Sequence, residues 1–255
     1  MTEKTIIYQF CHKEVPYGFS NVPLEVGAAL REKHVGMVLD DRNADDNISA
    51  LNPIYAETTG MYDIWKNDNH EIVAQEQYRR RLSFKKEAIE GLVEDGNIIA
   101  CQPLVLGRGV VRGQFCLFHS TKYWDLFKDA VHQTAPEYDK AFNKWLESTP
   151  GKIYYSNGMA MYKKDYDRYC EFLFPVMEYM FNALGGSVEA VTKTVEKDIK
   201  AGICANNDGG HGDVLNYQRQ VPAFAAERAF TMWARENFEG RIVECPYIKM
   251  ENTII

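Results

Sequence analysis

Apolar residues in this chain fall into two patterns, short continuous runs and longer stretches in which they recur with helical spacing. Short runs bounded by polar or turn residues read as buried strands. Residues 5–11 (TIIYQFC) predict the first strand and residues 35–39 (VGMVL) a second. Residues 71–75 (EIVAQ) predict a third, and residues 97–104 another that stops near Pro103. Residues 153–161 (IYYSNGMAM) and 241–245 (RIVEC) complete the set. Between the first two strands, residues 22–30 (VPLEVGAAL) read as a short helix or turn.

The helical stretches carry their own punctuation. Asn52 is a preferred N-cap and Pro53 suits a first helical position, with Ile54, Met61 and Trp65 on one face. Residues 121–132 and 136–147 are helical, the second striped by Tyr138, Phe142, Trp145 and Leu146. A long amphipathic helix starts near Lys164, with Tyr166, Tyr169, Leu173, Met177, Met180 and Leu184 among its apolar positions; Pro175 predicts a kink. The last helix begins near Pro222. The glycine-rich residues 205–212 (ANNDGGHG) read as the most mobile loop. Strands alternate with helices, and neither a repeat nor a linker interrupts them. The pattern therefore predicts a single α/β domain over residues 1–255, with a mostly parallel central sheet flanked by helices. Ligands of such sheets bind beyond the strand C-termini.

Composition narrows the function. In 255 residues, 45% are hydrophobic and 25% charged, enough for a sizeable core. The net charge of −7 and the absence of a basic stripe argue against a nucleic-acid partner. No apolar stretch approaches the ~20 residues of a membrane span, and no signal-peptide pattern precedes the first strand. Cys11, Cys101, Cys116, Cys170, Cys204 and Cys245 form no C-x-x-C pair, so they read as reduced thiols of a cytoplasmic protein.

G-x-G-x-x-G, G-K-[ST] and G-x-S-x-G are all missing, which disfavours a dinucleotide fold, a P-loop and an α/β-hydrolase. A D-x-D pair, which could hold a divalent cation, occurs only at Asp165 and Asp167, where helix-capping carboxylates explain it better. Tyr78-Arg79-Arg80-Arg81 interrupts an acidic background. Two arginines can neutralise a departing diphosphate in place of a metal; a solvated surface run is the alternative. Asp45, Asp46, Asn47 and Ser49 suit ribose, base or sugar hydroxyls, or turns and caps. Glu227-Arg228 offers a general base or an internal ion pair. His12 and His119 stand alone, with a structural role as the default.

Taken in order, these segments resemble a family of bacterial galactofuranosyltransferases, first catalogued as a domain of unknown function in capsule, exopolysaccharide and O-antigen clusters. The matching phrases are His12-Lys13, NVPLEVGAA at 21–29 and Asp46-Asn47-Ile48-Ser49. They continue with Asn52-Pro53-Ile54-Tyr55-Ala56-Glu57-Thr58, Trp65-Lys66-Asn67 and Gln77-Tyr78-Arg79-Arg80. His119, Pro136-Glu137-Tyr138, Asn157 with Met161, Tyr169-Cys170-Glu171 and Glu227-Arg228 follow. Gln77 stands where the family has histidine, and Glu25 where it commonly has glutamine.

The resemblance implies a GT-A-like fold, a UDP-galactofuranose donor and a lipid-linked glycan acceptor in cell-surface polysaccharide synthesis. Such an acceptor places the protein at the inner face of the cell membrane. The expected chemistry is inverting transfer, with Glu227 as base. The donor would be bound by His12, Lys13, Asp46, Asn47, Ser49, Tyr78, Arg79 and Arg80. The sugar or acceptor would be bound by Glu57, His119, Asn157 and Arg228. No cofactor is expected. The alternatives are another nucleotide-sugar donor, with Mn or Mg held by Asp40, Asp41, Asp45 or Asp46, and a non-catalytic glycan- or nucleotide-binding subunit.

Overall fold

The computed structural model describes residues 3–14, 18–36, 39–43, 45–210 and 212–250. Strand β1 (Thr5–Cys11) pairs in parallel with β2 (Val22–Glu25) on one side. Next to β2 lies the short β3 (Leu39–Asp40). After helices α1 (Asn52–Tyr55) and α2 (Thr58–Asn67), β4 (Ile72–Gln77) joins the other side of β1, also in parallel. The chain then turns back through β5 (Arg80–Leu82) into α3 (Lys86–Glu94), β6 (Ile98–Cys101) and β7 (Leu104–Val105).

Three helices follow, α4 (Val111–Phe118), α5 (Thr121–Thr134) and α6 (Asp139–Leu146). Strand β8 (Lys152–Ile153) forms a two-stranded ribbon with β7, and β9 (Met159–Tyr162) re-enters the main sheet. Helices α7 (Lys163–Ala183), α8 (Val188–Lys200), α9 (Val214–Arg219) and α10 (Val221–Asn237) precede β10 (Ile242–Cys245) and β11 (Tyr247–Lys249). Among the described residues the sheet order is β10-β6-β9-β4-β1-β2-β3, with β5 and β11 paired at its rim. Every pairing along that path is parallel except those of β9, which runs against both β4 and β6. The expected mixed α/β architecture is present.

Alternation along the strands explains the two faces. Ile7, Ile72, Ala74 and Ala160 point into a small core under α3, where Ile89 and Val93 are fully buried. Tyr8, Phe10, Val73, Met159 and Met161 point the other way, into the main core under α2, α5, α7 and α10. Helix α7 supplies Tyr166, Tyr169, Leu173 and Met177, each with no exposed surface. It runs unbroken through Pro175, because burial of this stripe outweighs the hydrogen bond that proline removes.

Several expectations are corrected. Residues 22–25 are a strand, since Leu24 and Glu25 are buried beside β1; only Ala28–Leu30 make a single 3₁₀ turn. Residues 37 and 38 of the expected second strand lie outside the described residues. The helix expected from Asn52 breaks at Ala56, whose φ of 47° is left-handed. Asn52 is not its N-cap; its amide donates to Ala56 O (2.7 Å) and Thr59 Oγ1 (3.2 Å) and so holds the break. The strand expected over 153–161 is split by Ser156 (φ 69°) and Asn157 (φ 47°).

That last break positions the site. Parallel β1, β2, β4, β6 and β10 all end at one edge of the sheet. Because β9 is reversed, the turn that precedes it arrives at the same edge, with Met159 opposite Gln75 near the end of β4.

Candidate functional site

Three connected cavities line this edge. The first, of about 530 Å³, sits beyond β1 and β4 and is walled by His12, Lys13, Arg31, Glu57, Arg79 and Arg219. The central one, of about 480 Å³, shares Glu57, Gln77 and Arg79 with the first and adds Arg80, Tyr155, Glu227 and Arg228. A lateral cavity of about 440 Å³ shares Arg80 and Tyr155 with the central one.

Glu227 lies in the second turn of α10, and its carboxylate is held from two sides. Oε1 accepts the backbone N–H of Ser156 at 2.8 Å, and Oε2 accepts Nη1 of Arg228 at 2.7 Å. Burial pushes its pKa up from the ordinary carboxylate value, opposed by Arg228 and the Ser156 N–H. Arg228 is itself 2% exposed and donates to Gln114 Oε1 (2.8 Å) and Phe224 O (2.8 Å). The internal ion pair is present, and the same carboxylate lines the central cavity.

Glu57 follows the break at Ala56 and caps the start of α2. Its Oε1 accepts from Gln77 Nε2 (2.7 Å) and Asn157 Nδ2 (3.0 Å). Gln77, at the family histidine position, therefore fixes a carboxylate at the centre of the cleft. Asn157 is buried, its carbonyl accepts from Gln75 Nε2 (2.6 Å), and its Oδ1 has no partner among the described residues. Arg80 Nη1 donates to Ser156 Oγ (2.9 Å), which ties the arginine run to the turn. Arg79 and Arg80 are exposed to the cavities and form no ion pair with any described residue.

At the far end Tyr78 is the platform. His12 meets its ring edge-on (5.3 Å), and Arg79 and Lys13 lie over it at 5.3 and 5.9 Å. His12 is exposed at the mouth, yet its imidazole is desolvated between the walls and faces three cations. Desolvation, then repulsion from Arg31, Lys13 and Arg79, pushes it down to about 4, so it is neutral at pH 7.

Other sequence candidates are placed elsewhere. Ser49 is fully buried, donates to Asp41 Oδ1 and accepts from Ala29 N (2.9 Å). Asp46 accepts from Tyr62 Oη (2.8 Å), and Asn47 Oδ1 accepts the backbone N–H of Ser49 (3.3 Å). None of these three lines the cavities described above; Asn47 makes a turn bond, while Ser49 and Asp46 are engaged by Asp41 and Tyr62. Of the four acidic residues weighed as cation ligands, Asp40, Asp41 and Asp46 already have protein partners. Asp40 pairs with Arg42 (2.8 Å), and Asp41 accepts from Gly27 N (2.7 Å) and Ala28 N (3.1 Å). Asp165 and Asp167 pair with Arg168 and Lys163 on the surface of α7.

His119 is 1% exposed, stacked on Tyr217 (5.2 Å) with Nδ1 against Gln218 Oε1 (3.2 Å). Gln218 in turn donates to the carbonyls of Phe118, Ala205 and Asn207. His119 therefore anchors the glycine-rich loop from beneath and lines none of the three cavities. His211 of that loop lies outside the described residues.

Sequence reasoning missed Arg31, Arg219 and Tyr155. Arg31 is held by Glu25 (2.6 Å), the residue already noted as a departure from the family glutamine, and this pairing was the available signal. Arg219 donates to Asn216 Oδ1 (2.6 Å) while its buried Nε has no protein partner.

A basic cleft at the carboxyl edge of a mostly parallel sheet, with the half-buried carboxylates Glu57 and Glu227 at its centre, gives this α/β domain the charge to hold a phosphorylated ligand. The chain belongs to the family described as "Domain of unknown function (DUF4422)", whose model matches residues 6–190. Arg79, Arg80 and Asn157 fall inside that match and Glu227 beyond it. A solved structure titled as the apo form of WbbM, a bifunctional glycosyltransferase, shares the fold with a TM-score of 0.76 at 21% identity. The likeness covers 98% of this chain and 46% of that one, so the chain spans about half the length of the protein it matches. No curated protein matches.

Proposed function

We propose that this chain is a glycosyltransferase that moves a sugar from a nucleoside-diphosphate donor to a glycan acceptor. Galactofuranose from UDP-galactofuranose is the transfer we favour, with a lipid-linked acceptor in cell-surface polysaccharide synthesis. One observation carries the reading. A half-buried carboxylate, Glu227, opens on the same cavity as two arginines without acidic partners among the described residues, Arg79 and Arg80. Transfer needs both: a base for the acceptor hydroxyl and cations for the departing diphosphate. Fold similarity to part of a bifunctional glycosyltransferase supports it, and so do the family motifs around residues 46–58 and 77–80.

In this mechanism the diphosphate lies against Arg79 and Arg80, with Lys13, Arg31 and Arg219 around the first cavity. Neutral His12 and the Tyr78 ring flank the nucleotide side. Glu227 takes the proton of the acceptor hydroxyl as its oxygen attacks the anomeric carbon. The C–O bond to the diphosphate breaks on the opposite face, giving inversion. Glu57 and Asn157, already linked, hold sugar hydroxyls. A panel of UDP-sugars with a synthetic lipid-linked acceptor, read by UDP release, tests the reading. Release dependent on one donor and on acceptor is expected. UDP binding without release from any donor would instead make the chain a binding subunit.

A further inference from the structure

The lateral cavity differs in chemistry from the other two. The first cavity is lined by His12, Lys13, Arg31, Arg79 and Arg219 against one carboxylate, Glu57. The lateral cavity has a single charged lining residue, Arg80, whose guanidinium is already engaged by Ser156 Oγ (2.9 Å) and lies over the Tyr247 ring at 6.0 Å. Its other walls include Tyr155, Tyr247, Gln102, Pro103 and Leu104. Tyr247 and Leu104 are 45% and 42% exposed, so both faces are open to a ligand in the cavity. Flat rings with a nearby amide and a guanidinium suit the apolar face and hydroxyl rim of a sugar ring, not a second diphosphate.

Position agrees with chemistry. Tyr155 walls both the lateral and central cavities, and the next residue, Ser156, donates its N–H to Glu227. The lateral cavity therefore adjoins, at Tyr155 and Arg80, the central cavity that Glu227 lines, and shares no lining residue with the first. The turn that makes this wall keeps two non-glycine residues in the left-handed region, a strain retained where the surrounding contacts fix it.

We infer that the cavity walled by Tyr155, Tyr247, Gln102 and Arg80 is the acceptor subsite, and that it takes a neutral sugar ring with Tyr247 as its platform. This rests on the transferase reading for the word acceptor; the sugar site itself does not. The test measures two bindings on the full chain. Methyl β-galactopyranoside is followed by saturation-transfer NMR, and UDP by calorimetry, in wild type, Tyr247→Ala, Tyr247→Phe and Gln102→Ala. Tyr247→Ala should weaken the glycoside about tenfold, Tyr247→Phe should retain it within about threefold, and UDP affinity should change less than twofold in all. Glycoside binding that is absent in wild type, or equal in wild type and Tyr247→Ala, overturns the subsite. A wild type that binds the glycoside through Tyr247 but neither binds nor releases UDP keeps the sugar site and sinks the transferase reading.

Discussion

The backbone N–H of Ser156 donates to Oε1 of Glu227 at 2.8 Å, so the strained turn before β9 and the middle of the last long helix meet at one carboxylate. The contact joins residues far apart in sequence and sets where a proton could be taken in the cleft. It also leaves Glu227 dependent on two donors, the Ser156 N–H and Arg228.

Glu227→Gln keeps the size and one hydrogen bond but removes the base. A loss in kcat of about 10²–10⁴-fold is expected, with donor affinity little changed. If Glu227 serves only to pair Arg228, the variant should instead lose about 3–5 kcal/mol of stability and keep its turnover when folded. Thermal midpoint and kcat measured on the same preparation separate the two.

The pH profile carries a second signature. A base must be ionised, and burial raises the pKa of Glu227. Activity should therefore fall on the acid side at a pH above the ordinary carboxylate range, as the group gains its proton. That limb should disappear from the residual activity of Glu227→Gln, and a limb that persists unchanged would assign it to another group.

Arg79→Ala should weaken UDP binding by about 10- to 150-fold, the equivalent of a charge-assisted contact of roughly 1.5–3 kcal/mol. Arg80→Ala should do the same and also raise the acceptor KM, because Arg80 holds Ser156 Oγ. Calorimetry with UDP reads the first effect and steady-state kinetics the second; unchanged values in both variants would return the run to surface charge.

The diphosphate role given to arginines predicts that activity survives EDTA, since the cavity walls supply the cations themselves. Complete loss with EDTA, restored by Mn or Mg, would move that role to a metal ion.

His119 predicts acid sensitivity. Burial, then Arg228, pushes its pKa down to about 3 from an ordinary 6.5. The unfolded chain takes up this proton below pH 6.5 and the folded one does not, so stability is present above 6.5 and is lost as pH falls toward 3. At pH 5 the loss from this group is about 2 kcal/mol. His119→Phe, which retains the stack on Tyr217, should make the fall in thermal midpoint between pH 7 and 5 shallower; an unchanged slope would show that other groups cause it.

The sequence by itself determined the α/β class and the most strongly periodic elements, because the period of apolar residues records which faces are buried. Residues 5–11 read as a strand and fold as one, and the Tyr166–Tyr169–Leu173–Met177 stripe reads as a helix and forms α7. Local signals also singled out Arg79, Arg80 and Glu227. Only the tertiary structure decided how these residues meet. Strand order and direction depend on non-local pairing, so the reversal of β9, which brings Ser156 and Asn157 to the carboxyl edge, left no local trace. The breaks at Ala56 and Ser156 were equally hidden, because their positive φ is imposed by packing on residues that do not prefer it, and Asn157, which tolerates that region, gave no sign of where the strand would split. The same holds for Ser49 and His119. Their side-chain chemistry suited a ligand, but burial gave them protein partners, and burial is a property of the assembled fold.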